Sequence, residues 1–235
     1  RARCIFGGQF TMAERAGLSE PCFPEVSWPE GGQVQSARWR AENGAPAPQR
    51  LQLADDTLSA DAAFRLMSEG TSLVWRGDFQ NARQLMQAVA RRIDRKPRKP
   101  TATLTDAFHQ HRQFQAQRAR TLGRVLIPLA GDYGIPLRRA PDVKPACSEA
   151  WGEPDGQPSL VSLRELLGVI GAHEWRKNGV EIPALGAGES GVRIHPHYGV
   201  FSPVRGEYLD LLADAPLPSL DRAFDIGTGT GVIAA

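Results

Sequence analysis

The stretch from 223 to 235 constrains the fold most, because its three glycines stand two residues apart, at 227, 229 and 231. It reads Ala-Phe-Asp-Ile-Gly-Thr-Gly-Thr-Gly-Val-Ile-Ala-Ala, with apolar residues on both sides of the glycines. Phe224 and Ile226 are typical of a buried strand, and Val232 begins a small apolar run that predicts a helix. Glycines at this spacing allow a sharp turn and a close approach of ligand to backbone. We therefore predict a strand, a glycine turn and a helix whose free N–H groups point at a ligand.

Two common nucleotide-binding motifs do not fit this turn. The dinucleotide fingerprint G-x-G-x-x-G needs its third glycine where Val232 stands, and the stretch contains no G-K-[ST] of a P-loop. The pattern Asp-x-Gly-x-Gly-x-Gly resembles the first motif of class I S-adenosylmethionine-dependent methyltransferases. The resemblance implies a Rossmann-like α/β domain in which the acidic residue helps to hold the amino group of the cofactor. The cofactor-binding residues that it implies are Asp225, Gly227, Thr228, Gly229, Thr230 and Gly231.

The segment before this stretch resembles two groups within that family. Gly199-Val200-Phe201-Ser202 matches a stretch of the small-domain group that acts on ribosomal RNA bases. Residues 203–207 loosely resemble a loop of the group that methylates glutamine in protein release factors. The resemblance implies methyl transfer to a nitrogen of a nucleic-acid base or of a protein amide side chain. The implied substrate is a macromolecule, RNA, DNA or protein.

The catalytic turn of both groups is Asn-Pro-Pro followed by an aromatic residue. The sequence contains no Asn-Pro dipeptide, and only the residues from Gly231 to Ala235 remain from the third glycine onward. We therefore nominate no catalytic residue and expect that turn beyond Ala235. The sequence also begins at Arg1 without a methionine. These features predict a fragment cut inside its catalytic domain and inactive by itself.

Charge is unevenly distributed along the sequence. Residues 81–144 contain fourteen lysines and arginines against four aspartates and glutamates, whereas the whole chain has a net charge of +2. The densest basic run is 91–100. Such segregation is typical of a solvated helix face and also of a nucleic-acid-binding surface. Two alternatives to methyl transfer therefore stay open: a nucleic-acid-binding module without catalysis, and a nicotinamide-dependent oxidoreductase that uses the glycine turn.

Cysteines, histidines and hydropathy indicate neither a metal site nor a membrane segment. Cys4, Cys22 and Cys147 are widely spaced and form no disulfide or zinc pattern, which favours a reducing, cytoplasmic location. His195 and His197 form an H-x-H pair, but no acidic or cysteine ligand accompanies them at metal-binding spacing. No apolar run approaches the roughly 20 residues that span a bilayer.

The sequence divides into four segments of different character. Residues 1–50 combine proline, glycine and charge without periodicity, which predicts a poorly ordered arm with Trp28 and Trp39 as its apolar exceptions. Residues 51–179 are expected to form a mainly helical, locally basic domain. Residues 180–201 are expected to form a β-hairpin. Residues 202–235 are expected to begin the methyltransferase domain, so the overall class is α/β.

Capping signals place the helices of the second segment. Helices are predicted from Ser59 to Glu69, from an Asp78 cap onward, and over about 105–122. Another helix is predicted to begin at Ser162 with Glu165 as its capping-box partner, and Asn178-Gly179 to end it. Val125–Leu129 is predicted to be an edge strand, because Pro128 cannot donate to a ladder. Residues 136–158 are predicted to be irregular.

Overall fold

The computed structural model describes residues 23–95, 100–186, 192–200, 206–216 and 224–234. Within these ranges the chain forms six α-helices and eight β-strands. Six of the strands form one mixed sheet, and the remaining two form a short antiparallel pair. The α/β class predicted from the sequence is therefore confirmed.

The main sheet contains both parallel and antiparallel neighbours. Its strands are β1 (Glu25–Glu30), β2 (Gln33–Arg40), β3 (Leu51–Ala54), β4 (Ser72–Trp75), β5 (Val125–Leu129) and β6 (Ser159–Ser162). Their order across the sheet is β1-β2-β6-β5-β4-β3. β3, β4 and β5 run parallel to one another, and β6 is antiparallel to β5. β2 runs parallel to β6, and β1 is antiparallel to β2.

The helices begin and end mostly where local signals indicate. They are α1 (Ala60–Ser68), α2 (Phe79–Asp94), α3 (Leu104–Leu122), α4 (Lys144–Trp151), α5 (Leu163–Asn178) and α6 (Glu207–Ala213). The Ser59 hydroxyl accepts from the N–H of Ala62, and the Asp78 carboxylate accepts from the N–H of Gln80. Both predicted N-caps are therefore confirmed. Gly179, at φ +74°, follows α5 as predicted.

Two apolar clusters lie on opposite faces of the sheet. The larger cluster joins the sheet to α1, α2, α4 and α5, with Leu73, Ile127 and Val161 contributed by the strands. The smaller cluster is formed by Val26, Trp28, Ala37, Trp39, Val74, Leu126 and Leu160. The edge strands β1 and β3 contact each other. The sheet therefore curls around the smaller cluster.

Residues 25–40 form a β-hairpin, so the prediction of a poorly ordered arm is wrong for this part. Trp28 in β1 and Trp39 in β2 are buried, at 5% and 6% exposure. The two strands are joined by Gly31 and Gly32, both at positive φ, as a tight primed turn requires. Pro29 is tolerated because β1 lies at the edge of the sheet. Residues 1–22 lie outside the described residues.

Two further predictions that were based on proline residues are wrong. β5 is a central strand between β4 and β6, not an edge strand. Its pairing with β4 covers only Val125 and Leu126, so Pro128 lies beyond that ladder, while it stays in register with Leu160 of β6 on the other side. Residues 144–151, predicted to be irregular, form α4. Pro145 stands in the first turn of α4, where the missing N–H has no helical partner to lose.

The capping box predicted at the start of α5 is absent. Ser162 is the N-cap residue, but its side chain makes no capping bond. The Glu165 carboxylate instead accepts from the backbone N–H of Glu42, at 2.8 Å. Ser162 also ends β6 and is buried there, so tertiary contacts determine the positions of both side chains.

A small hairpin follows α5, as predicted, but it is shorter than expected. β7 (Val180–Glu181) pairs with β8 (Arg193–Ile194) in antiparallel register. Pro183 begins a short 3-10 turn, Pro183–Leu185, which ends the extended segment. The predicted connecting loop falls largely on 187–191, which lie outside the described residues.

Candidate functional site

The predicted cofactor segment, residues 224–234, is a series of turns without strand or helix. The structure therefore differs here from the predicted strand, glycine turn and helix. No strand pairs with this segment among the described residues, and an extended segment needs neighbours to persist as a strand. Phe224 and Ile226, whose pattern indicated a buried strand, are instead 83% and 96% exposed.

The three glycines of the segment adopt the conformations for which glycine is suited. Their φ angles are +84° at Gly227, +55° at Gly229 and +79° at Gly231, a region that other residues rarely adopt. The turn is closed by a 2.8 Å hydrogen bond from the Gly231 N–H to the Thr228 carbonyl. The Thr228 hydroxyl donates to the Asp225 carbonyl at 2.9 Å. Thr230 is half-buried in the same turn.

Asp225 has an unused acceptor within this turn. Its Oδ2 atom is buried, and no hydrogen bond to it is found among the described residues. Burial of a carboxylate oxygen without a donor is unfavourable. The site therefore has the chemistry to accept a hydrogen bond or a cation from a ligand.

Val232 fixes the turn to the preceding elements. Its side chain is buried against Ile182, beside the short hairpin, and Leu209 of α6. Four half-buried residues complete this third apolar cluster: Val180, Leu185, Ile194 and Tyr208. The hairpin, α6 and the glycine turn are therefore held together in space.

Both histidines of the H-x-H pair are hydrogen-bonded to Arg176 of the same chain. His195 Nδ1 donates to the Arg176 carbonyl at 2.6 Å. His197 Nδ1 accepts a hydrogen bond from the guanidinium of the same arginine. Among the residues that the structure describes, no group of three or more His, Cys, Asp and Glu side chains is arranged to hold a metal ion.

The basic region is partly neutralised by ion pairs. Five of its fourteen cations contact carboxylates, as Arg92–Asp61, Arg118–Asp94, Arg138–Asp56, Arg139–Asp78 and Lys144–Asp132. Three of these carboxylates lie before residue 81 in the sequence. The charge that is segregated along the sequence is therefore partly balanced in space. Residues 96–99, within the densest basic run, lie outside the described residues.

A cavity of about 700 Å³, here called the β2–β6 pocket, lies where these two strands end. Its walls are the loop 42–48, the last turn of α3 and the first turns of α5. Sequence reasoning missed it because the wall comes from segments far apart in the chain. Gly168 lines the pocket from inside α5, but the same helix also contains Gly171, which does not, so glycine alone gave no specific signal.

Burial changes the acid–base properties of three side chains in this pocket. It raises the pKa of the Glu165 carboxyl and of the Tyr198 hydroxyl. It lowers the pKa of Arg124, whose Nη1 donates to the Gly70 carbonyl at 2.5 Å. The pocket thus brings together titratable groups that are partly withdrawn from water, a feature that is frequent in binding sites.

Comparison with known proteins assigns no family to the chain. No protein-family model matches it, and no curated protein matches it. Within the described ranges, no helix is both long enough and apolar enough to cross a bilayer.

Proposed function

We propose that the protein is an S-adenosylmethionine-dependent methyltransferase and that Asp225 to Gly231 form its first cofactor-binding turn. The observation that carries the proposal is the pattern Asp-x-Gly-x-Gly-x-Gly with all three glycines at positive φ. Methyl transfer is proposed to a nitrogen of a nucleic-acid base or of a protein amide side chain. The substrate is thus an RNA, a DNA or a protein, and the proposed location is the cytoplasm.

The residues present fit the methionine part of this cofactor. Oδ2 of Asp225, which has no hydrogen-bond partner among the described residues, can accept from the cofactor's amino group, which is positively charged at neutral pH. A Cβ atom placed on Gly227 would meet no heavy atom within 4 Å, so the backbone there is open to a ligand. Thr228 and Thr230 add hydroxyl groups beside it. When bound, the cofactor supplies the methyl group, and this turn contributes binding and orientation.

The two alternatives are less well supported. A nicotinamide-dependent oxidoreductase needs a glycine where Val232 stands, and the Val232 side chain is buried in an apolar cluster. A nucleic-acid-binding module needs cations that are available to phosphates, and five of those in 81–144 already contact carboxylates.

The proposal is tested by NMR, which detects weak binding. Backbone amide shifts of the isotope-labelled chain are recorded with S-adenosylmethionine and, separately, with NAD⁺. We expect shifts at 225–231 with the first compound, their loss in Asp225→Asn, and their retention in Asp214→Asn. Asp214 is the matched control, because it is an exposed aspartate just after α6. Equal shifts with NAD⁺, or none with either compound, would refute the proposal.

A further inference from the structure

The β2–β6 pocket lies at a point where the chain leaves two neighbouring parallel strands in opposite directions. After β6 the chain enters α5, which packs in the larger apolar cluster. After β2 the chain enters residues 41–50, of which Ala41 and Ala47 pack against the smaller cluster on the other face. Connections that diverge in this way open a crevice at the carboxyl ends of the strands, where α/β sheets bind ligands.

Ser162 provides a buried polar group without a partner in the wall of this crevice. It is 7% exposed, and its hydroxyl oxygen has no hydrogen-bond partner among the described residues. A Cβ atom placed on Gly123, which also lines the pocket, would lie 3.7 Å from that oxygen. Ser162 is also the N-cap residue of a sixteen-residue helix, and its side chain makes no capping hydrogen bond to that helix. Both features favour a ligand that brings hydrogen-bonding groups of its own.

The charges around the pocket favour an anion. Arg120, Arg124 and Arg164 line it, together with the carboxyl groups of Glu42 and Glu165. Glu42 lies 3.7 Å from the guanidinium of Arg40, which balances its charge. The three arginines therefore outnumber the one remaining carboxyl group. The positive end of the α5 dipole adds to this potential.

Part of the pocket wall is apolar. Trp39, Pro46, Pro48 and Tyr198 contribute to it. The indole N–H of Trp39 donates to the Ala45 carbonyl at 2.8 Å, which holds the 42–48 loop over the cavity. The volume of about 700 Å³ lies within the range of small-molecule sites.

We propose that the β2–β6 pocket is a binding site for a small molecule that joins a phosphate or carboxylate group to a flat apolar body. Arg120, Arg124 and the start of α5 with the Ser162 hydroxyl bind the anionic group. Arg124 can do so because, among the described residues, Nη1 is the only nitrogen of its guanidinium with a hydrogen-bond partner, namely Gly70 and Ser72. The apolar wall contacts the body. This site is separate in sequence from the glycine turn and does not depend on the function proposed for that turn.

Two anionic probes, each with a neutral counterpart, test the chemistry. AMP is compared with adenosine, and benzoate with benzamide, by calorimetry of the whole chain in low salt. We expect at least one anion to bind at least tenfold more tightly than its counterpart, and the better anion identifies the phosphate or the carboxylate as the preferred group. Binding of neither anion at up to about 10 mM, near −2.7 kcal/mol, would overturn the proposal. Equal binding of the neutral compounds would also overturn it.

A pair of glycine substitutions locates the site. Gly168 and Gly171 both lie inside α5, and a Cβ atom on either meets no heavy atom within 4 Å, but only Gly168 lines the pocket. Gly168→Leu should weaken anion binding at least tenfold, whereas Gly171→Leu should bind as the unchanged protein does. Neither should lower the melting temperature, because leucine favours a helix over glycine. Unchanged anion binding in Gly168→Leu would contradict the assignment.

Ser162→Ala gives an independent measurement. Because the hydroxyl has no partner in the described protein, its removal should leave the melting temperature unchanged or raise it. Anion affinity should fall several-fold, because a hydrogen bond to the ligand is lost. A lower melting temperature with unchanged affinity would show that the hydroxyl serves the fold and not a ligand.

Discussion

The carboxylate of Glu165 lies 2.8 Å from the backbone nitrogen of Glu42 and accepts its hydrogen bond. This contact joins the first turn of α5 to the loop after β2, across a separation of 123 residues. It connects the carboxyl ends of two parallel strands and forms one corner of the β2–β6 pocket. The group that local rules assign to a helix cap therefore acts as a tertiary tether.

Substitution of Glu165 by glutamine should change stability in a pH-dependent way. Burial raises the pKa of this carboxyl above its ordinary value of 4.5, so the folded protein binds the proton more tightly than the unfolded chain. As pH rises from 4.5 through the folded pKa, the charged form becomes increasingly unfavourable for folding. Glu165→Gln lacks this penalty and can still accept from Glu42. Its stability relative to the unchanged protein should therefore rise with pH over that interval and then level off.

Urea unfolding at pH 4.5 and pH 8 measures this difference. Glu174→Gln is the matched control, because it removes a negative charge from an exposed turn of the same helix. The opposite result is that Glu165→Gln loses stability relative to the unchanged protein as the pH rises from 4.5 to 8. In that case the folded protein would favour the charged carboxylate. That result would contradict the raised pKa.

The hairpin formed by β1 and β2 is predicted to be an integral part of the folded domain. Trp28 is 5% exposed and belongs to the smaller apolar cluster, so Trp28→Ala should cost about 3–5 kcal/mol of unfolding free energy. Val34, on the same hairpin, is 77% exposed. Val34→Ala should therefore change stability by less than about 0.5 kcal/mol. Chemical denaturation of both variants tests this. A negligible effect of Trp28→Ala would support the original prediction that this part of the chain is poorly ordered.

Local rules predicted those elements whose signals lie within a few neighbouring residues. Ser59 and Asp78 were recognised as caps because a cap depends on N–H groups two or three residues away. Gly179 was recognised as a helix end because it permits the positive φ found there. The buried stripe of α2 also follows directly from its 3.6-residue period.

The errors arose where distant residues decide the structure. Nothing near Trp28 and Trp39 in the sequence shows that their strands join a sheet through β6. A proline is unfavourable in a central strand only where the ladder needs a backbone N–H at that position. The register of β5 with β4 ends before Pro128. The β2–β6 pocket could not be predicted, because its wall requires the relative positions of α3, α5 and the 42–48 loop. The role proposed for the glycine turn remains a prediction from its sequence pattern.

Cys147 should be unreactive in the native protein. It is fully buried, and burial raises its pKa from 9.0 to about 12. At pH 8 the thiolate fraction is therefore about a thousandfold lower than for an ordinary thiol. In a Cys4→Ser, Cys22→Ser variant, a thiol reagent should label nothing in buffer and one thiol in urea. Rapid labelling in buffer would show that α4, which contains Cys147, opens readily or packs differently.

The final prediction is that the 235-residue chain binds S-adenosylmethionine only in the millimolar range. In the methyltransferase family proposed for the glycine turn, an acidic residue on the next strand holds the ribose, and no strand lies beside this turn among the described residues. Loss of several polar contacts, at about 1–1.5 kcal/mol each, weakens a micromolar affinity near −8 kcal/mol to millimolar. The exposure of Phe224 and Ile226 also favours weak binding, because no sheet in the described part of the chain covers the turn and holds it rigid.

Calorimetric titration of the cofactor into the chain decides this prediction. We expect a dissociation constant in the millimolar range, weakened further by Asp225→Ala because the carboxylate that accepts from the amino group is lost. Asp214→Ala removes an exposed carboxylate just after α6 and should leave the affinity unchanged. Micromolar binding that disappears in Asp225→Ala would mean that this chain holds the ribose and adenine with residues of its own. The search for those residues would then begin at the elements that pack around Val232.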